Sequence, residues 1–143
     1  MEKKENKHIS NYHSPTIYTR DNIKMLKEIT ILEDGQIYLY VMLSSNGNVK
    51  IGKTTNIIQR LKSLSGSNGY GEKITALYCS PPTWMQSMEG TCHNHYHFAR
   101  INGTEWFDGN KVDFNEMVEY VDKLFHSDSF ERCNELRRKV IEK

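Results

Sequence analysis

Asn46-Gly47 separates two strand-like stretches, Ile37-Tyr38-Leu39-Tyr40-Val41-Met42-Leu43 and Asn48-Val49-Lys50-Ile51-Gly52. Asn-Gly supplies the backbone conformations that a tight antiparallel hairpin needs. The flanking residues are the β-branched and aromatic types that favour strands. A chain with this centre must build on an antiparallel pair and find partners for both of its faces. Side chains alternate along a strand, so Tyr38 and Tyr40 project from one face while Ile37, Leu39 and Val41 fill the other.

Helical signals surround the hairpin. On the N-terminal side, Met1 to Ser14 is polar, Thr19 caps a helix over Arg20 to Ile29, and Asp34-Gly35 is a turn. On the C-terminal side, Thr54 or Thr55 caps a helix whose apolar face is Ile57, Ile58, Leu61 and Leu64. Ser65 to Gly71 is a loop, and Ile74 to Cys79 a third strand ended by Pro81-Pro82. Thr83 and Gln86 have the spacing of a capping box, predicting a helix to about Phe98. Gly103 precedes a short extended piece, Glu105-Trp106-Phe107, with Trp106-Phe107 read as a core plug. Asp113 with Glu116 caps a helix that turns Phe114, Met117, Val118, Val121, Leu124 and Phe125 inward, and Ser129 to Glu142 is a last helix. The pattern is α+β, a small three-stranded antiparallel or mixed sheet flanked by helices. Residues 1–34 form a polar tail and helix, 35–107 the core, and 108–143 a C-terminal helical extension of one compact domain.

Composition narrows the function classes. The chain has 143 residues, 37% hydrophobic and 26% charged, with a mean hydropathy of -0.69. One domain is expected, polar but with enough aromatic side chains (10%) for a modest core. No apolar run approaches the roughly 18 residues of a membrane span, and Met1 to Lys7 is not the start of a secretory signal. Cys79, Cys92 and Cys133 are odd in number and contain no Cys-x-x-Cys pair, so neither a disulfide framework nor a zinc ribbon is indicated. A reduced, cytoplasmic protein is expected. Charge is uneven: Gln36 to Ser80 carries five basic residues against one acid, whereas Glu105 to the end carries seven against ten. A basic centre with an acidic tail suits a local anionic ligand. By charge alone an ordinary solvated surface is the simpler reading, so the functional case rests on particular residues.

Those residues are Tyr38, Lys50, Arg60, Glu89 and His93. Lys50 lies on the returning strand and Arg60 on the next helix, while Glu89, His93 and His97 recur at steps of four on one face of the helix after the third strand. The types suit phosphodiester hydrolysis. Arg60 can grip a phosphate with its planar fork of donors. Glu89 can hold a Mg²⁺ that keeps most of its waters. A tyrosine beside a cation can serve as a general base, because the positive charge favours the phenolate. Lys53, Lys62 and Tyr40 are the candidates for contacting substrate.

The order and spacing of these residues are more specific than their types. Gln36-Ile37-Tyr38, eleven residues, Lys50-Ile51-Gly52-Lys53-Thr54, then Arg60 ten positions after Lys50, resembles the signature of the GIY-YIG nuclease superfamily. More narrowly it is similar to the compact branch of phage and viral open reading frames, whose second motif reads Lys-Ile-Gly. Glu89-x-x-x-His93 and Gly103-Thr104-Glu105-Trp106-Phe107 resemble that branch's downstream elements. The resemblance covers about Gly35 to Phe107. It implies a metal-dependent DNA endonuclease using Mg²⁺ or Mn²⁺ held by Glu89, with Tyr38 activating water and Arg60 stabilising the pentavalent phosphate. Lys50 stands where many members have a second tyrosine, Gln36 where the literal motif has glycine, and Leu64 where homing-type members have histidine.

Two other readings compete. A nuclease fold without turnover would hold nucleic acid or a protein partner, an idea to which the modest net charge of +1 lends a little support. A zinc protein built on Glu89, Cys92, His93 and His97 is disfavoured, because ligands on one helix at steps of four do not converge on one tetrahedral ion. Neither a monomer nor a homodimer is indicated over the other.

Overall fold

The computed structural model describes residues 15–19, 32–67 and 73–126. Its centre is the expected hairpin, β2 (Tyr38–Ser44) and β3 (Val49–Thr54), preceded by the two-residue β1 (Ile17–Tyr18). The turn differs from a two-residue Asn-Gly turn. Gly47 has a φ of +94° whereas Asn46 has a negative φ. Gly47 N donates to Ser44 O at 3.0 Å, and Ser44 N donates to Asn48 O at 2.9 Å. One left-handed residue after an ordinary turn is the three-residue hairpin, with glycine at the position where a Cβ would be strained.

After β3 come α1 (Ile57–Ser67), β4 (Ile74–Cys79), α2 (Met88–His95), a 3₁₀ turn (His97–Ala99), β5 (Trp106–Phe107) and α3 (Phe114–Leu124). The strands form one sheet in the order β1-β4-β2-β3-β5, every neighbouring pair antiparallel. The α+β class is as expected, but the sheet has five strands rather than three. The two additional edge strands are two residues long, too short for an alternating pattern to show in sequence. Trp106-Phe107 is therefore a strand pairing with Val49 and Lys50, and Phe107 is also fully buried.

Each face of the sheet has its own cover. Leu39, Val41, Val49, Ile51 and Tyr78 pack with Met88 and Cys92 of α2 and with Phe114, Met117, Val118 and Val121 of α3. The core therefore does not close at Phe107, since α3 supplies much of this layer. Tyr38, Tyr40, Met42 and Leu77 face the other way, with Ile57 of α1 against them. Inside the larger core, the Tyr78 hydroxyl donates to Asp122 Oδ1 at 2.9 Å, satisfying one oxygen of a buried carboxylate.

Helix ends differ where side chains found other partners. Asn56, not Thr54 or Thr55, caps α1, its Oδ1 accepting from Gln59 N at 3.0 Å. Thr54 Oγ1 instead accepts from Asn56 N at 3.1 Å, and the helix continues through Ser65 to Ser67. The capping box at Thr83 does not form. Thr83 is fully buried and bridges to Ile37 through both backbone groups, at 2.8 and 3.0 Å, and α2 begins only at Met88. It ends at His95, so His97 falls on the 3₁₀ turn and not on the helical face of Glu89 and His93. Asp113 caps α3 as expected, accepting from Glu116 N at 3.1 Å. The tail to Ser14, the helix over Arg20 to Ile29 and the last helix from Ser129 lie outside the described residues. No helix among the described residues is long and apolar enough to cross a membrane.

Candidate active site at the free edge of the hairpin

The register of the hairpin decides which tyrosine enters the site. Tyr40 pairs with Gly52, and its ring lies over that glycine, where a Cβ would come within 2.6 Å of Tyr40 Cζ. The absent side chain at Gly52 leaves the ring room to lie across β3. On α1, Arg60 sits above the same face, and its Nη1 donates to the Tyr40 hydroxyl at 3.5 Å. Arg60 makes no other side-chain hydrogen bond or ion pair among the described residues, so most of its N–H groups remain available to an anion.

Lys50 lies on the same face of β3, two residues before Gly52. Its Nζ is 2.9 Å from Glu105 Oε1 and 5.7 Å from the centre of the Trp106 ring. The stem is buried, and the half-exposed Glu105 carboxylate holds the ammonium in place. Lys50 holds the Glu105 carboxyl below the usual carboxylate range, outweighing the opposing effect of burial, with His93 and Arg100 adding to the lowering.

On β3, β5 pairs only with Val49 and Lys50, which leaves the next carbonyl, Ile51 O, beyond the end of β5. His93 of α2 takes it, with Nε2 2.7 Å from Ile51 O. A carbonyl only accepts, so Nε2 carries the proton and a neutral ring leaves Nδ1 as its acceptor. The edge of the ring also meets Phe107, with ring centres 5.4 Å apart. Glu89 lies one helical turn earlier, half-buried. Among the described residues its carboxylate has no hydrogen-bond or ion-pair partner.

The Tyr40 hydroxyl is governed first by burial and then by the charges of Arg60, Glu105 and Glu89. Burial pushes that hydroxyl up to about 12; Arg60 opposes the rise and the two carboxylates reinforce it. Arg60 favours the Tyr40 phenolate, but desolvation wins and the phenol stays protonated. Tyr38 lies two residues along the same face, beside Ile57, with its pKa raised by burial and by Cys79. The structure thus brings together Tyr40, Lys50, Arg60, Glu89 and His93, and adds Glu105. Tyr40, expected to contact substrate, is the tyrosine that lies beside Arg60.

Lys53 is half-buried on β3 opposite Leu39, and Lys62 is exposed on α1. Neither lines the cleft of about 350 Å³ that opens beside Arg60 between Thr54, Thr55, Asn56, Gln59 and Ser63. Counting outward from a two-residue Asn46-Gly47 turn would set Tyr40 against Lys53; the three-residue turn shifts the register by one and sets it against Gly52. Glu105 was visible within its Trp-Phe motif, but its pairing with Lys50 follows from β5, which sequence periodicity does not show.

The donor set bears on a metal. Among the described residues no three His, Cys, Asp or Glu side chains form a group that could hold an ion, and a zinc cage on α2 has no such support. A Mg²⁺ site of one or two carboxylates completed by water and substrate phosphate needs less. The unpartnered Glu89 carboxylate fits that requirement.

A model of the T5orf172 domain matches residues 35–125. The chain belongs to the T5orf172 domain family. This is a phage-derived domain related to nuclease-like folds. The matched span begins at the turn before the hairpin and ends with α3, so the T5orf172 domain here includes all the site residues described above. No curated protein and no solved structure matches the chain.

Proposed function

We propose that this T5orf172 domain is a metal-dependent endonuclease that hydrolyses phosphodiester bonds in DNA. The observation that carries the reading is Arg60, whose Nη1 lies 3.5 Å from the Tyr40 hydroxyl and whose other N–H groups have no partner among the described residues, together with the partnerless Glu89 carboxylate. Such a site offers an anion-binding fork, an unclaimed carboxylate and a hydroxyl held by Arg60.

Arg60 binds the non-bridging oxygens of the scissile phosphate and gains strength as negative charge develops in the pentavalent state. Tyr40, protonated in the free protein, orients the attacking water by hydrogen bonding. Lys50, pinned by Glu105, adds a fixed positive charge on the same face. His93, with Nε2–H committed to Ile51 O, offers Nδ1 as a proton acceptor. Glu89 would hold Mg²⁺ or Mn²⁺, which when bound polarises a phosphate oxygen and cancels a charge that helps keep Tyr40 protonated.

The test is incubation of supercoiled plasmid and single-stranded DNA with wild type, Glu89→Ala and Arg60→Ala in Mg²⁺, Mn²⁺ and EDTA. Cleavage by wild type alone, abolished by EDTA, is the expected result. Cleavage that persists in either folded variant would remove the roles given to those residues. Binding without cleavage by wild type would favour a module that only holds nucleic acid.

A further inference from the structure

The cleft beside Arg60 has no part in the chemistry just described. Its helical wall is a polar stripe of α1, in which Gln59, Arg60 and Ser63 follow Asn56 at intervals of three, four and seven, all on one face. The opposite face of α1 carries Ile57, packed on the sheet. Arg60 belongs to both regions, lining the cleft while its Nη1 reaches the Tyr40 hydroxyl. A phosphate held by Arg60 therefore has the cleft directly beside it.

The lining is selective in its chemistry. It holds one cation, no carboxylate and five uncharged hydrogen-bonding side chains. A second phosphate would find no second positive charge there, whereas an uncharged polar group attached to the first would be well matched. Two of the lining oxygens are already committed. Thr54 Oγ1 accepts from Asn56 N, and Asn56 Oδ1 accepts from Gln59 N. Among the described residues the Asn56 Nδ2 group and the Gln59 carboxamide have no partner and can meet a ligand. Carboxamides pair with the donor and acceptor edges of nucleobases. A volume of about 350 Å³ lies at the small end of ligand pockets.

We propose that this cleft is a subsite for one nucleotide of a nucleic-acid strand, adjoining the phosphate held by Arg60, with Gln59 and Asn56 selecting the base. The assignment rests on the phosphodiesterase reading for the identity of the anion at Arg60.

The test separates the two. With EDTA present to prevent turnover, the full chain is titrated with short single-stranded oligodeoxynucleotides of each base, following the side-chain amide NMR signals of Asn56 and Gln59. Both signals shift, and affinity differs between bases by about tenfold, the order of one good amide–base pair. Gln59→Ala, on an exposed helical position, brings the bases within about twofold of one another. Absence of shifts at both residues, or an unchanged base preference in Gln59→Ala, overturns the subsite. A parallel reaction with Mg²⁺ reads hydrolysis independently. Base-selective binding without cutting keeps the subsite and removes the enzyme reading. Cutting by wild type and Gln59→Ala with the same distribution of product ends does the reverse.

Discussion

Tyr40 and Gly52 face each other across β2 and β3, and the tyrosine ring occupies the space that any side chain at residue 52 would fill. The glycine of the Lys50-Ile51-Gly52 motif is thus required by a side chain rather than by a turn, and its backbone is not in the left-handed region. The ring in turn carries its hydroxyl to Arg60.

Gly52→Ala forces a Cβ to within 2.6 Å of Tyr40 Cζ. The ring is fully buried and cannot swing into solvent without exposing the layer beneath α1. The expected outcome is a loss of about 1–3 kcal/mol, the usual cost of overpacking, measured by urea unfolding. Cleavage falls further than the remaining folded fraction accounts for, because the hydroxyl is displaced from Arg60.

Tyr40→Phe and Tyr38→Phe distinguish the two tyrosines. Removing the Tyr40 hydroxyl lowers the cleavage rate by about 100-fold or more, as expected for a group that positions the reacting water. Tyr38→Phe, beside Cys79 in the apolar layer, lowers it by less than about tenfold. Initial rates on plasmid DNA, with folding of both variants checked by circular dichroism, decide the assignment. A larger loss in Tyr38→Phe would return the catalytic tyrosine to that position.

Alkaline pH provides a third test. Burial raises Tyr40 and Tyr96 from 10.0 to about 12, and Cys79 and Cys92 from 9.0 to about 12. Each proton is held more tightly in the folded state than in the unfolded chain. The associated stability is complete below pH 9 and is lost as pH rises towards 12. The urea midpoint should stay level up to about pH 9 with respect to these groups and then decline. Tyr40→Phe should flatten the part of that decline above the ordinary tyrosine range.

The Lys50–Glu105 pair has the opposite sign. Glu105 is held below its ordinary value of 4.5, so the pair contributes stability above that pH, lost as acid protonates the carboxylate. The Glu105 side chain is 46% exposed, and Glu105→Gln should cost less than about 1 kcal/mol at neutral pH. Urea midpoints of wild type and variant should converge in acid. If the carboxylate serves to pin the ammonium, cleavage by Glu105→Gln falls towards that of Lys50→Ala.

Much of this architecture was legible because local chemistry and final structure agree. Asn46-Gly47 marks the hairpin, and Asp113 caps a helix whose apolar face from Phe114 to Phe125 enters the core as its spacing requires. Thr83 shows where such reasoning stops. Its spacing to Gln86 satisfies a capping rule, yet its backbone is claimed by Ile37, forty-six positions earlier, and a helix cannot begin at a residue already bridged to a strand. β1 was invisible, and β5 showed only as a short extended piece without a partner, for a related reason. Two residues carry no periodicity, and an edge strand exists only because a neighbour's hydrogen-bonding groups await it.

The site divides along the same line. Residue types and spacing were sufficient to nominate Lys50, Arg60, Glu89 and His93, because chemistry restricts which side chains can grip a phosphate or hold a hard cation. They were also sufficient to place Tyr38 and Tyr40 on one face, since alternation along a strand is a local property. Which of the two tyrosines meets Arg60 depends on the register of β3 and on the empty space at Gly52. That Lys50 is pinned depends on β5 bringing Glu105 across fifty-five residues of chain. Side-chain identity and periodicity are properties of neighbouring positions, whereas register, desolvation and charge convergence arise only when distant segments share one volume.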